Sequence, residues 1–226
     1  TFDASHKVKK GGAHKKQFLR HVARDADQRY GFNFPHSNKN IDPKRTTLNR
    51  TFIRGGLDDN GLNWYEPLVS GRRIVDGEEV RIAPSEVLEE AVNKRVGVVE
   101  EAGNRLRDNQ VVLRPLILQL DPKYYAEKDP LRQTPGYGQE SQAYEEAMLR
   151  WAEQEFGAEN IIGYSMHLDE KNPQMHVLMV PVTEDDRLSQ TDFFKGPGDL
   201  RRMRDDLLDR LEETGYDVDR TPSTRS

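Results

Sequence analysis

The residues with most chemistry lie between Tyr164 and Pro181. They read Tyr-Ser-Met-His-Leu-Asp-Glu-Lys-Asn-Pro-Gln-Met-His-Val-Leu-Met-Val-Pro. Alternation predicts a strand over 161–168, with Ile162, Tyr164, Met166 and Leu168 on its apolar face. Ile161, Gly163, Ser165 and His167 then share the other face. A second strand over 174–182 carries Gln174, His176, Leu178 and Val180 on one face. Five residues, Asp169 to Pro173, join the two, which suits a hairpin. Antiparallel pairing brings His167 close to Gln174 and His176, with Glu170 at the turn within reach. Two imidazoles, an amide oxygen and a carboxylate converging on one spot are a donor set for a divalent cation. The alternative is two strand histidines that meet only ordinary partners or water. The spacing differs from the His-Glu-x-x-His of a helical zinc protease.

The elements around this stretch follow from hydrophobic period and breakers. Phe2, Ala4, His6 and Val8 alternate as a strand up to Gly11-Gly12. Residues 15–30 read as one helix with Phe18, Leu19, Val22, Ala23 and Ala26 on a stripe, and Gly31 as its C-cap. His21 and Arg24 sit three apart on a neighbouring face. A polar loop covers 35–46 and a short strand 47–54. Residues 56–80 are rich in Gly and Asp and hold a small hairpin. A long helix is expected over 85–109, interrupted at Gly97 and Gly103. The apolar run Val111–Leu120 is a strand in which Pro115 needs an edge or a bulge. Residues 121–138 read as a loop, 140–156 and 199–213 as helices, and 221–226 as a frayed tail.

Composition narrows the class. Among 226 residues there is no cysteine, which excludes disulfides, thiolate metal sites and a cysteine nucleophile. No apolar run is long enough for a membrane helix and no signal peptide is visible, so a cytoplasmic setting is expected. The net charge is −5, yet residues 1–55 hold 13 Lys and Arg against four Asp. The other 171 residues hold 21 basic and 35 acidic side chains. Such asymmetry points to a polyanion at the N-terminal part, or to an uneven solvated surface.

Three segments together resemble one family. His167-Leu-Asp-Glu170 followed by Pro173-Gln174-Met-His176 looks like the metal motif of the Mob/Pre (MobV) plasmid mobilisation relaxases. These belong to the endonuclease superfamily with a His-hydrophobic-His (HUH) motif. Gly11-Gly12-Ala13 with His21-Val-Ala-Arg24 is similar to the family's first motif. The run from His36 to Asn49, His-Ser-Asn-Lys-Asn-Ile-Asp-Pro-Lys-Arg-Thr-Thr-Leu-Asn, resembles its second. The likeness covers about 1–55 and 140–220, and 56–80 reads as a candidate insertion. The family typically has His where Gln174 stands. An amide oxygen is a harder, weaker donor than imidazole, so the site leans toward Mn²⁺ or Mg²⁺.

The resemblance implies a metal-dependent enzyme that nicks one strand at a plasmid transfer origin, single-stranded or hairpin. It would keep the 5′ phosphate covalently and can rejoin the strand. His21 falls on the family's nucleophile. Arg24, one turn away, can hold a phosphate oxygen, and Glu170 can act as a base or ligand. The metal set is His167, Gln174, His176 and Glu170. Lys7, Lys9, Lys10, Lys15, Lys16 and Arg20 are phosphate candidates. Asn38, Asn40, Arg45 and Asn49 can read bases or order their loop through Asx turns. Trp64, Phe193 and Phe194 can stack on bases or lie in the core, and His14 is DNA-contacting or incidental.

The expected fold is α+β: one domain over 1–220, a central antiparallel sheet flanked by helices, with the 161–182 hairpin in its middle. A longer protein is expected, with dimerisation through a C-terminal region. Three other readings stay open. One is a replication-initiator-like nickase using Tyr30, Tyr124 or Tyr125. Another is a weakly catalytic origin-binding protein, and the third a metal-binding protein with no DNA role.

Overall fold

The computed structural model describes residues 1–11, 13–128 and 139–221. Gly12 and all of the expected tail but Thr221 lie outside the described residues. In chain order the elements are β1 (Phe2–Asp3), β2 (Val8–Lys9), α1 (His14–Val22), α2 (Arg24–Arg29), a 3-10 turn (Pro43–Leu48), β3 (Arg50–Leu57), β4 (Asn63–Pro67), β5 (Gly71–Val75) and β6 (Glu78–Ile82). There follow α3 (Pro84–Glu101), β7 (Val111–Leu118), α4 (Pro122–Lys128), α5 (Gln139–Phe156), a 3-10 turn (Ala158–Asn160), β8 (Ile161–His167), β9 (Gln174–Met179), α6 (Gln190–Phe193) and α7 (Pro197–Glu213).

Seven strands form the main antiparallel sheet in the order β1-β7-β9-β8-β3-β4, with β2 pairing β7 beside β1. The β8–β9 hairpin is central, as expected. Period-two burial divides its side chains. Met166, Met175, Val177 and Met179 pack against Met148, Leu149 and Ala152 of α5 and Met203 and Leu207 of α7. Leu178 and Val180 face Leu19 and Val22 of α1 and Leu88 and Val92 of α3. Each such buried side chain contributes about 1.5–3 kcal/mol. The sheet is therefore fixed between two helical layers, with His167 and His176 on the α1 side.

Several expectations are corrected. The helix over 15–30 is two helices, broken at Ala23 (φ −96°, ψ 16°). The α3 helix passes straight through Gly97 and stops at Glu101. Residues 122–128 of the supposed loop form α4, which carries Tyr124 and Tyr125. The strand face over 161–168 is not continuous, because a bulge lies between Ile161 and Gly163. Ile161 therefore packs with the α5 layer and Ile162 with the α3 layer, the reverse of strict alternation. Gly163 sits at that bulge because a Cβ there would lie 2.4 Å from the Phe52 carbonyl oxygen of β3. Pro115 is in neither an edge strand nor a bulge. It faces Leu178 on one side, and on the other falls in the gap between the β1 and β2 pairings.

Of the candidate insertion, Asn63–Pro67 is the edge strand of the main sheet, while β5 and β6 make a separate hairpin with Ile74 exposed at 66%. Trp64 stands half-exposed on that edge strand, whereas Phe193 and Phe194 pack against the core beside Phe156. Among the described residues no helix is long and apolar enough to cross a membrane.

Candidate active site

Four side chains meet where α1 ends against the hairpin: His21, His167, Glu170 and His176, with donor atoms all within 4.8 Å of one another. Strand register does most of this. His167 faces Gln174 and Ser165 faces His176 across β8–β9. The His167 and His176 ring centres are 4.3 Å apart, and His21 stands 5.4 and 5.7 Å from them. Glu170 Oε1 lies 3.3 Å from His167 Nδ1 and 3.6 Å from His21 Nε2. His167 and His176 are buried, while the His21 side chain keeps 24% of its surface exposed. The hairpin convergence expected from the sequence is thus present, and the helix carrying His21 lies beside it.

The break at Ala23 belongs to the site. His167 Nε2 donates to the Val22 carbonyl at 3.0 Å, and Arg24 Nη1 donates to the His21 carbonyl at 2.6 Å. Both carbonyls are at the α1 terminus, where helical partners run out. With Nε2 carrying the proton, His167 Nδ1 is left as a lone-pair donor facing the centre.

Arg24 is only 2% exposed and forks onto Asp169, with Nε to Oδ2 at 2.9 Å and Nη2 to Oδ1 at 2.5 Å. Nη2 also reaches Glu170 Oε1 at 3.1 Å. Its guanidinium is buried and engaged by protein acceptors, so in this structure it positions the turn at 169–170. Asp169, which sequence reasoning passed over, also accepts from Thr46 Oγ1 at 2.8 Å. The Arg24 fork holds the Asp169 carboxyl down at about 2 against the desolvation that opposes it. Asn49 is 1% exposed, and its Oδ1 accepts from Leu168 N at 2.7 Å and Asp169 N at 3.1 Å. Arg45 Nε donates to the Leu168 carbonyl at 3.0 Å. Through these bonds Asn49 and Arg45 order the loop against the hairpin. Asn38 and Asn40 are exposed, linked by an Asx turn.

Whether these residues suit a cation is decided by their unpaired atoms. His167 Nδ1 and both ring nitrogens of His176 are buried without a hydrogen-bond partner. Leaving such atoms dry and unpaired costs free energy that a bound cation would recover. Burial, first, and then the Arg24 charge push His21 down to about 4 and His167 well below the ordinary range. Burial and the His167 charge do the same to His176. All three are neutral at pH 7, the form that ligates and attacks. Gln174 donates its amide nitrogen to Glu170 Oε2. In this arrangement the amide steadies the carboxylate.

The basic candidates lie on or next to β2 and on α1. Lys7, Lys9 and Lys16 are exposed, and among the described residues none of these three forms an ion pair. Lys15 donates to Asn93 Oδ1 at 3.0 Å, and the Arg20 guanidinium lies 3.8 Å above the Phe34 ring. His14 meets His6, Nε2 to Nε2, at 3.3 Å. Tyr125 is buried at 3% in the α5–α7 layer, across the sheet from His21.

Comparison with known proteins decides the relationship. The family of the plasmid recombination enzyme, Mob_Pre, matches residues 81–225. The chain belongs to this family. The match includes 81–135, a stretch for which the sequence showed no resemblance. Among Mob/Pre relatives, a plasmid recombination enzyme of Bacillus thuringiensis is 30% identical over 54% of this chain and 26% of its own length. One from Lactiplantibacillus plantarum is 27% identical over 86% of this chain and 43% of its own. A type 1 plasmid recombination enzyme of Staphylococcus aureus is 35% identical over 38% of this chain and 21% of its own. The chain thus spans less than half the length of these relatives. A solved structure of the MobM relaxase domain, Mn-bound and in complex with plasmid pMV158 oriT DNA, superposes with a TM-score of 0.64. It is 20% identical and covers 100% of this chain and 93% of that one. The Mob/Pre chain therefore has the fold of that domain, a central antiparallel sheet flanked by helices.

Proposed function

We propose that this chain is the nicking unit of a plasmid relaxase, acting on one strand of a transfer origin through His21. The observation that supports it is the placing of one partly exposed, neutral imidazole beside a buried His-His-Glu cluster at the mouth of the α1 side. His167, His176 and Glu170 would hold a divalent cation, manganese in the MobM neighbour, whose charge would stabilise the negative charge that builds on a scissile phosphate. His21 supplies the lone pair: an N–P bond forms, the P–O bond to the 3′ oxygen breaks, and that oxygen takes up a proton. The resulting phosphoramidate keeps the 5′ phosphate on the protein, and attack by a 3′ hydroxyl reverses the step and rejoins the strand. Arg24 and Asp169 keep Glu170 and the His21 carbonyl in place throughout. The exposed lysines on β2 and α1 carry the phosphate backbone toward His21. Such an enzyme works in the cytoplasm, where plasmid DNA is.

A supercoiled plasmid with the cognate origin, incubated with Mn²⁺, tests this. Wild type should give a nicked circle with protein on the 5′ end, and His21→Ala should lose the adduct while still binding Mn²⁺ with a similar Kd. The proximity of His21 to the other three groups favours one competing reading, in which His21 is a fourth ligand. In that case His21→Ala would weaken Mn²⁺ binding by about tenfold or more. Adduct formation by His21→Ala that disappears in Tyr124→Phe/Tyr125→Phe would move the nucleophile to tyrosine.

A further inference from the structure

Beside the His21 cluster opens a cleft of about 230 Å³, walled by Gln28, Phe32, Asn33, Phe34, His36 and Asn38. The cleft has a built shape. Gly31, at φ 84°, ends α2 with two reversed bonds, Gly31 N to the Gln28 carbonyl at 3.1 Å and Phe32 N to the Asp27 carbonyl at 2.8 Å. That turn swings Phe32 and Phe34 into the wall. Each ring is flanked by a guanidinium, with Arg20 3.8 Å from the Phe34 centre and Arg81 5.2 Å from the Phe32 centre. The Arg81 side chain is tied down by its bond to the Tyr30 carbonyl at 2.5 Å. Arg24 lines the inner end, where its guanidinium contacts the His21 ring, and His36 is close enough for its charge to act on His21.

Resting on the relaxase reading, we propose that this cleft is a base-binding subsite that takes one unpaired nucleobase next to the phosphate presented to His21. Half-buried aromatic faces suit a base π-face, and such stacking is tolerant of base identity. The three carboxamides, Gln28, Asn33 and Asn38, each offer donors and an acceptor to a base edge. The guanidiniums on both rings set positive charge where the flanking phosphates pass. An aliphatic ligand would leave the carboxamides unpaired.

The test compares binding of fluorescent dT12 with that of a 12-residue abasic strand having the same phosphate spacing. Wild type should prefer dT12 by about tenfold, the worth of one stacked base. Phe34→Leu keeps an apolar side chain without the π-face and should remove most of that preference, lowering dT12 binding far more than abasic-strand binding. Asn33→Ala, an exposed change, should reduce it further. Lys16→Ala should weaken both strands alike. A 2-aminopurine placed along dT12 should be quenched at one position by wild type and not by Phe34→Leu. Equal binding of both strands by wild type, or an equal loss on both in Phe34→Leu, would overturn the subsite and leave the DNA-binding reading intact. Binding of neither strand would overturn both.

Discussion

At the scale of single residues, the site is a set of neutral imidazoles held by one buried cation. Arg24 binds Asp169, Glu170 and the His21 carbonyl at once, so one guanidinium fixes both the end of a helix and the turn of a hairpin. His167 and His176 were legible because strand alternation and antiparallel pairing aim them at one point, and Glu170 because the short link holds it at the turn beside them. The role of Asp169 was not, since a carboxylate in a turn reads as solvated until its arginine, 145 residues away, is seen to be buried. The histidines also set a pH dependence. Unfolded, each binds a proton near 6.5; folded, His21 does so only near 4, and His167 and His176 are lowered too. Between those values the unfolded chain binds more protons, so stability falls as pH drops from 6.5 toward 4. Asp27, raised to about 6 mainly by burial, works in the opposite direction over that window. Metal-free protein in urea at pH 7 and pH 5 should therefore lose less stability in His176→Leu than in wild type. An identical pH slope in the two proteins would contradict the account.

Among elements, the β8–β9 hairpin came through from the sequence nearly unchanged, because period-two alternation and a five-residue link leave one register. The helix break at Ala23 did not, because part of its cause is tertiary: His167 arrives from a distant strand to take the Val22 carbonyl, while Arg24, the next residue along, turns back onto the His21 carbonyl. The bulge at Gly163 was hidden for the same reason, since the glycine answers to the Phe52 carbonyl on a neighbouring strand. The second motif held a comparable ambiguity. Its asparagines could serve bases or backbone, and the structure gives Asn49 to backbone while Asn38 stays exposed. Asn49→Ala strips the partner from two buried N–H groups of the 168–169 turn. It should destabilise by about 2–4 kcal/mol, read as a lower urea midpoint. Since that turn carries Asp169 and Glu170, Mn²⁺ affinity should fall in the same variant. Unchanged stability would mean that water replaces the amide.

Over the whole molecule, charge is sorted along the chain, with the basic excess in the first quarter on β2, α1 and the loop after α2. Binding of a single strand should thus weaken linearly in log Kd against log salt. Lys16→Ala, with no ion pair to lose among the described residues, should lower that slope by about 0.7, the release expected for one phosphate contact on a single strand. A substitution in the acidic α7, such as Asp205→Ala, should leave the slope alone. The Arg24–Asp169 fork has a further consequence, in time. Its partners lie 145 residues apart in sequence. At roughly 5–20 residues per second, Asp169 is synthesised about 7–30 s after Arg24. The sheet closes late as well, since β3 must wait for β8 and β1 for β7, and such distant pairings fold slowly. A nascent chain therefore carries its basic arm and His21 for seconds before the buried cluster that His21 faces exists.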